Sequence, residues 1–172
     1  MLSDLEFDFC QAPVVTLETL QDGSVSETGC YALLEEKRQM EALLRPLTEA
    51  MGPRLLLPEV WQEIFPQCGV LISSAISGGT FVQRLQDAPS RRSWLLLEPV
   101  SMEFPLPCPS GQGQAVPIPQ DGSSFYSASL CCQYTHFLRN DHGLLHLWDT
   151  DETLTEKLRL AKDAGFCGYV LP

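Results

Sequence analysis

Residues 144–165 constrain the fold more than any other stretch, because hydrophobic pattern, capping residues and charge placement agree there. Leu144-Leu-His-Leu-Trp148 is a short apolar run that suits a strand, and Asp149, Asp151 and Glu152 make an acidic turn after it. The following residues place Leu154, Leu158 and Ala161 at helical spacing, with Leu160 and Ala164 beside them, so they predict an amphipathic helix. Thr150 or Asp151 is the expected N-cap, and Thr153 with Glu156 offers a capping box one turn later. Acids crowd the first turn while Lys157, Arg159 and Lys162 lie toward the end, which complements the helix dipole. Gly165 is the expected terminator, and residues 166–171 read as a closing strand.

Upstream, Cys132-Gln-Tyr-Thr-His-Phe-Leu-Arg139 and the run from Leu144 flank Asn140-Asp-His-Gly143. That tetrapeptide has the residues of a type I turn, so an antiparallel hairpin is expected at about 132–148. With Gly143 in the left-handed position, a three-residue loop pairs His136 with Trp148. One face then carries Tyr134, His136, Leu138, Leu144, His146 and Trp148, whereas a four-residue loop separates the two histidines.

The remaining chain supplies helices and strands for a mixed layer structure. Short apolar runs around Phe7 and Val14 suggest a strand or two. Leu33, Leu34, Met40, Leu43, Leu44, Leu47 and Met51 recur at three and four residue steps, predicting a helix bent or restarted at Pro46 and closed by Gly52-Pro53. A shorter helix is expected from Pro58, with Val60, Trp61 and Ile64 inward. Residues 69–77 suit a buried strand, 80–88 a helix capped by Thr80, and 93–100 another strand. Alternate prolines from Pro105 to Pro109 favour extended polyproline-like backbone over a central strand, and 109–124 reads as a surface loop. The expected fold is α/β or α+β: one globular domain over 1–172 with a mixed sheet, three or four packed helices and an irregular Pro/Gly-rich loop at about 104–124.

Charge and cysteine usage exclude several function classes. A formal charge of -11 disfavours nucleic acid and anionic membrane surfaces as partners. The first 36 residues hold no Lys or Arg, which a secretory leader needs, and the longest apolar run, 68–76, falls well short of a membrane span of about 20 residues. Seven cysteines without a Cys-x-x-Cys pair fit a reducing compartment, so a cytoplasmic protein with neither metal nor cofactor is expected.

Four side-chain groups are candidates for chemistry. Asp149-Thr-Asp-Glu-Thr-Leu154 resembles the first motif of haloacid-dehalogenase-type phosphatases, with Asp149 and Asp151 as nucleophile and acid. Glu152 stands where that motif carries glycine, and helix capping accounts for the same acids. Cys108 and Ser110, in a glycine-rich loop, are candidate nucleophiles if His136 or His146 serves as base. The two histidines on one hairpin face would suit a metal pair or a proton relay. The face of Tyr134, His136, His146 and Trp148 is a candidate ligand surface.

Tyr134, Trp148, Asp149, Lys157, Gly165 and Gly168 carry a further likeness. Residues 134–171 resemble the C-terminal part of family 18 glycoside hydrolase barrels, among them chitinase-like and spore-cortex-lytic relatives. The resemblance implies an extended segment with Tyr, a strand ending in an aromatic and Asp, a helix with a mid-helix Lys, and a closing strand. Thr150 replaces the second Asp common after the strand, and the family's catalytic Asp-x-x-Asp-x-Asp-x-Glu is absent from this sequence, so no catalytic role is carried over. An eight-fold barrel takes about 250 residues, more than the 172 here.

Because no complete catalytic set can be assembled, the sequence favours a non-enzymatic domain binding a protein or small ligand. The alternative is a small hydrolase with a glycan or acyl substrate, using Cys108 or Ser110 with a histidine, or Asp149 with Asp151.

Overall fold

The computed structural model describes residues 8–9, 34–75, 80–107, 113–120 and 123–171. Strands β1 (Asp8–Phe9), β2 (Leu56–Pro58), β3 (Gly69–Ser73), β4 (Ser93–Leu96) and β10 (Gly168–Val170) form a parallel sheet in the order β1-β10-β4-β3-β2. Strands β5 (Ser101–Pro105), β6 (Gln114–Ala115), β7 (Phe125–Ser127), β8 (Cys132–Arg139) and β9 (His142–Trp148) form an antiparallel sheet in the order β6-β5-β9-β8-β7. With three α-helices among the described residues, this is the expected α/β class, its parallel and antiparallel strands sorted into two sheets.

The helices form where apolar spacing and caps predict them. Helix α1 (Leu34–Met51) runs through Pro46, and Gly52 at φ +53° ends it in the left-handed region that glycine enters freely. Met40 and Leu44 of α1 pack on Leu55, Leu57, Trp61, Phe65 and Cys68. Helix α2 (Phe81–Asp87) starts at Thr80, whose hydroxyl accepts from Gln83 N at 3.0 Å. Helix α3 (Asp151–Asp163) starts at Thr150, which accepts from Thr153 N while the Thr153 hydroxyl accepts from Thr150 N. The capping box therefore sits one turn earlier than the Thr153 and Glu156 pair suggests.

The main core lies between α2, α3 and the parallel sheet: Val70, Ile72, Leu95 and Leu97 meet Phe81, Leu85, Leu158 and Ala161. Both faces of β3 are buried, as a parallel strand covered on each side requires. The helix expected from Pro58 is a single 3-10 turn, Glu59–Trp61, because Pro58 is taken by the sheet edge, paired with Leu71. Val60 stays exposed, and Phe65 joins Trp61 in the core instead.

The antiparallel sheet is inserted between two neighbouring parallel strands. The chain leaves β4, builds β5 to β9, and returns through α3 to β10, which pairs directly with β4. Strand β5 corrects the polyproline expectation: Met102 and Phe104 alternate with Ser101 and Glu103, and the prolines begin only at its last residue. The expected strands of residues 7–18 lie outside the described residues, apart from Asp8 and Phe9 of β1.

The hairpin of β8 and β9 exists at the expected place, with a different register. Arg139 pairs with His142, leaving Asn140 and Asp141 as a two-residue loop at φ +51° and +62°. Left-handed geometry at both central residues is the turn that matches strand twist, and Asn and Asp tolerate it. His136 accordingly pairs with Leu145 rather than Trp148. Replacing Asn140 with Val is expected to lower stability by about 1–2 kcal/mol, since a β-branched side chain resists φ above zero. Urea denaturation with an unchanged m-value would show it; an unchanged midpoint would contradict the two-residue turn.

Candidate functional site

A one-residue change of register moves alternate side chains to opposite faces, and this decides which predicted residues meet. On one face, β5 contributes Ser101 and Glu103, β8 contributes Thr135, Phe137 and Arg139, and β9 contributes His146 and Trp148. On the other lie Tyr134 and His136, whose rings stand 5.6 and 6.3 Å from that of Phe125. The predicted ligand face of Tyr134, His136, His146 and Trp148 is therefore divided between two surfaces, and the two histidines form neither a metal pair nor a relay. Among the described residues no group of three or more His, Cys, Asp or Glu side chains is placed to hold a metal ion.

The first face borders a cavity of about 630 Å³ that is also lined by Val116, Pro117, Pro119, Gln120, Ser123 and Ser124. Glu103, Thr135, Phe137, Arg139, His146 and Trp148 line it. Arg139 grips Glu103 through two parallel bonds, Nη1 to Oε1 at 3.0 Å and Nη2 to Oε2 at 3.1 Å, which holds both oxygens as acceptors. The Arg139 guanidinium also lies 5.2 Å from the centre of the Phe137 ring. His146 is buried, with its ring 5.0 Å from that of Trp148 and its Nε2 2.9 Å from Ser101 Oγ. Burial pushes the His146 pKa down despite the opposing pull of Glu103, which favours the uncharged ring. Ser101 and Glu103 are the residues sequence reasoning missed; their alternation with Met102 and Phe104 was the available signal.

Asp149 has a different task. It is buried, its side chain and that of Lys157 both wholly inaccessible, and the pair meet at 2.8 and 2.9 Å. Thr153 Oγ1 donates to Oδ1 at 3.0 Å and Val100 N to Oδ2 at 3.1 Å, while Lys157 Nζ also donates to Ser74 O at 3.1 Å. With every oxygen engaged, Asp149 is a structural clamp and not a nucleophile. Asp151 is exposed in the first turn of α3, where it complements the helix dipole. Cys108 and Ser110 lie outside the described residues. Burial raises the thiol pKa values of Cys131 and Cys132, the latter to about 12, so neither is an activated nucleophile.

A second polar group sits where β3 and β4 end. Ser73 Oγ donates to a Glu98 carboxylate oxygen, and Ser74 bridges to the Glu98 backbone. The strand ends are the positions from which open α/β sheets present ligand groups. Its carboxylate is already bonded to Ser73, and the cavity lies on the other sheet.

No family model matches the chain, and no curated protein does. Among solved structures, the spore cortex-lytic enzyme SleL of Bacillus cereus superposes with a TM-score of 0.51 at 14% identity, over 83% of this chain and 43% of that one. A candidate sporulation-specific glycosylase of Bacillus subtilis, ydhD, superposes with a TM-score of 0.50 at 11% identity, over 78% of this chain and 59% of that one. The chain thus spans about half the length of the structures it matches. Its fold is similar to the matching part of these two proteins, one described as a cortex-lytic enzyme and one as a glycosylase. That finding overturns the expectation of a non-enzymatic binding domain, which rested on the lack of a catalytic set in the sequence alone.

Two measurements check the site's electrostatics. Asp149→Ala leaves the Lys157 ammonium buried without its counter-ion, and an expected loss of about 3–5 kcal/mol would follow in urea denaturation. Asp149→Leu with Lys157→Met removes both charges and is expected to recover most of that loss; a D149A cost below about 1 kcal/mol would contradict the clamp. For His146 the folded pKa lies below the ordinary 6.5, so the unfolded chain binds more protons between those values. Stability is therefore expected to fall as pH drops below 6.5 through that window, and His146→Gln to flatten this part of the profile. A profile unchanged by the substitution would contradict the burial argument.

Proposed function

We propose that the chain is a hydrolase acting on a glycan, with the cavity on the antiparallel sheet as its substrate site. The observation that carries this reading is the composition of the cavity: Trp148 and Phe137 supply aromatic rings to its lining, and Glu103, Arg139, Thr135 and His146 supply polar groups. Sugars present apolar ring faces edged by hydroxyls, and a pocket of aromatic walls with a few placed polar groups suits them.

The fold supports the same reading. The chain shares its architecture with a protein described as cortex-lytic and with one described as a glycosylase. The likeness of residues 134–171 to family 18 glycoside hydrolases points the same way, with Trp148 bordering the cavity and Asp149 and Lys157 holding the helix behind it. The chemistry that remains at the cavity is proton transfer by His146, its uncharged form favoured by burial, beside a hydroxyl.

The test uses soluble N-acetylglucosamine oligosaccharides, plain and O-acetylated, in water enriched in oxygen-18. Trp148 fluorescence is expected to change on titration, and products are expected to gain the heavy oxygen whichever bond is hydrolysed. Phe137→Ala should weaken binding about tenfold, the loss of one ring contact of about 1.4 kcal/mol. Neither a fluorescence change nor label in any product would overturn the reading.

A further inference from the structure

Resting on the reading of the cavity as a glycan site, we propose that Ser101 and His146 form a nucleophile and base pair that hydrolyses an acyl ester carried on the sugar. The argument starts from what glycosidic cleavage needs. Two carboxyl groups flank the scissile bond in most such enzymes, one as acid and one as base or nucleophile. Among the described residues lining the cavity, Glu103 supplies a single carboxylate, and Arg139 holds both of its oxygens. With both oxygens committed to the guanidinium, Glu103 has none free to reach a leaving sugar.

The hydroxyl and imidazole are arranged for different work. Ser101 Oγ lies 2.9 Å from His146 Nε2, within the range at which a base activates a nucleophile. His146 borders the cavity, and Ser101, half-buried on the same sheet face, stands directly behind the His146 ring rather than among the residues that line the cavity, so the substrate ester must reach it past that ring. Position is fixed by two strands: Ser101 pairs with Trp148 and Glu103 with His146, so both groups ride on rigid backbone. Thr135, paired with His146 from β8, places another hydroxyl at the same cavity, available to donate to a developing oxyanion.

The reaction balances with water as the co-reactant. Ser101 Oγ attacks the ester carbonyl carbon as its proton passes to His146 Nε2. The bond between that carbon and the sugar oxygen breaks, and the oxygen leaves with the proton from His146. Water then attacks the acyl-serine, giving its proton to His146, which returns it to Ser101 as the free carboxylic acid departs. No metal, oxidant or reductant takes part.

Labelling with a fluorophosphonate probe, read by peptide mass spectrometry, is expected to mark Ser101 in the wild-type chain and to fail in His146→Gln. Acetate release from O-acetylated N-acetylglucosamine oligosaccharides is expected to fall at least about 100-fold in Ser101→Ala, while tryptophan fluorescence still reports sugar binding. Thermal melts of each variant show whether it is folded. Sugar binding with no label on Ser101, or with acetate release unchanged in Ser101→Ala, would overturn the esterase proposal and leave the glycan site standing. Loss of sugar binding in the wild-type chain would overturn the glycan site itself.

Discussion

The ion pair between Asp149 and Lys157 joins the end of the antiparallel sheet, the helix after it and the parallel sheet at one buried point. Asp149 closes β9, the last strand of the antiparallel sheet, and Lys157 belongs to the helix that returns the chain to the parallel sheet. Lys157 also donates to the carbonyl of Ser74 just beyond β3, and Asp149 accepts from the backbone of Val100 just before β5. Three layers thus converge on two buried charges. Burying such a pair in place of apolar groups adds little net stability, but once it is buried each charge depends on the other. The same contacts set where β9 ends, and with it the position of Trp148 and His146 at the cavity.

The cavity then follows from strand parity. A sheet face is selected in steps of two, so the two-residue turn at Asn140 and Asp141 decides that His146 faces Glu103 and Thr135 while His136 faces Phe125. Val116, Pro117, Pro119 and Gln120, after β6, border that face and give the sheet an open, half-walled cavity. At it stand a buried imidazole backed by a serine hydroxyl and one carboxylate held by an arginine, with no second carboxyl group among the described lining residues. Fold and local chemistry therefore carry separate information: the architecture is shared with other chains, whereas what the cavity can do depends on the side chains placed at it.

Local structure was legible where several signals agreed. The strand, helix and strand of the last third, the Thr80 cap and the Gly52 terminator follow from spacing and capping residues that act over a few positions. The hairpin was legible but its register was not, because Gly143 drew the turn toward itself while Asn140 and Asp141 adopted the left-handed geometry. Strand β5 was obscured by the prolines that follow it, although Ser101 to Phe104 alternates polar and apolar residues as a strand should. Lys157 read as a complement to the helix dipole, yet it shares a helical face with Thr153 and Ala161, both buried. Long-range pairing such as that of Ser101 with His146, 45 residues apart, leaves no trace in local pattern.

The most direct measurement is two-dimensional NMR of the ring and methyl resonances during titration with an N-acetylglucosamine oligosaccharide. The account predicts that His146, Phe137 and Thr135 shift together while Tyr134 and His136 on the opposite face stay in place. Shifts confined to Tyr134 and His136, with His146 unmoved, would contradict it.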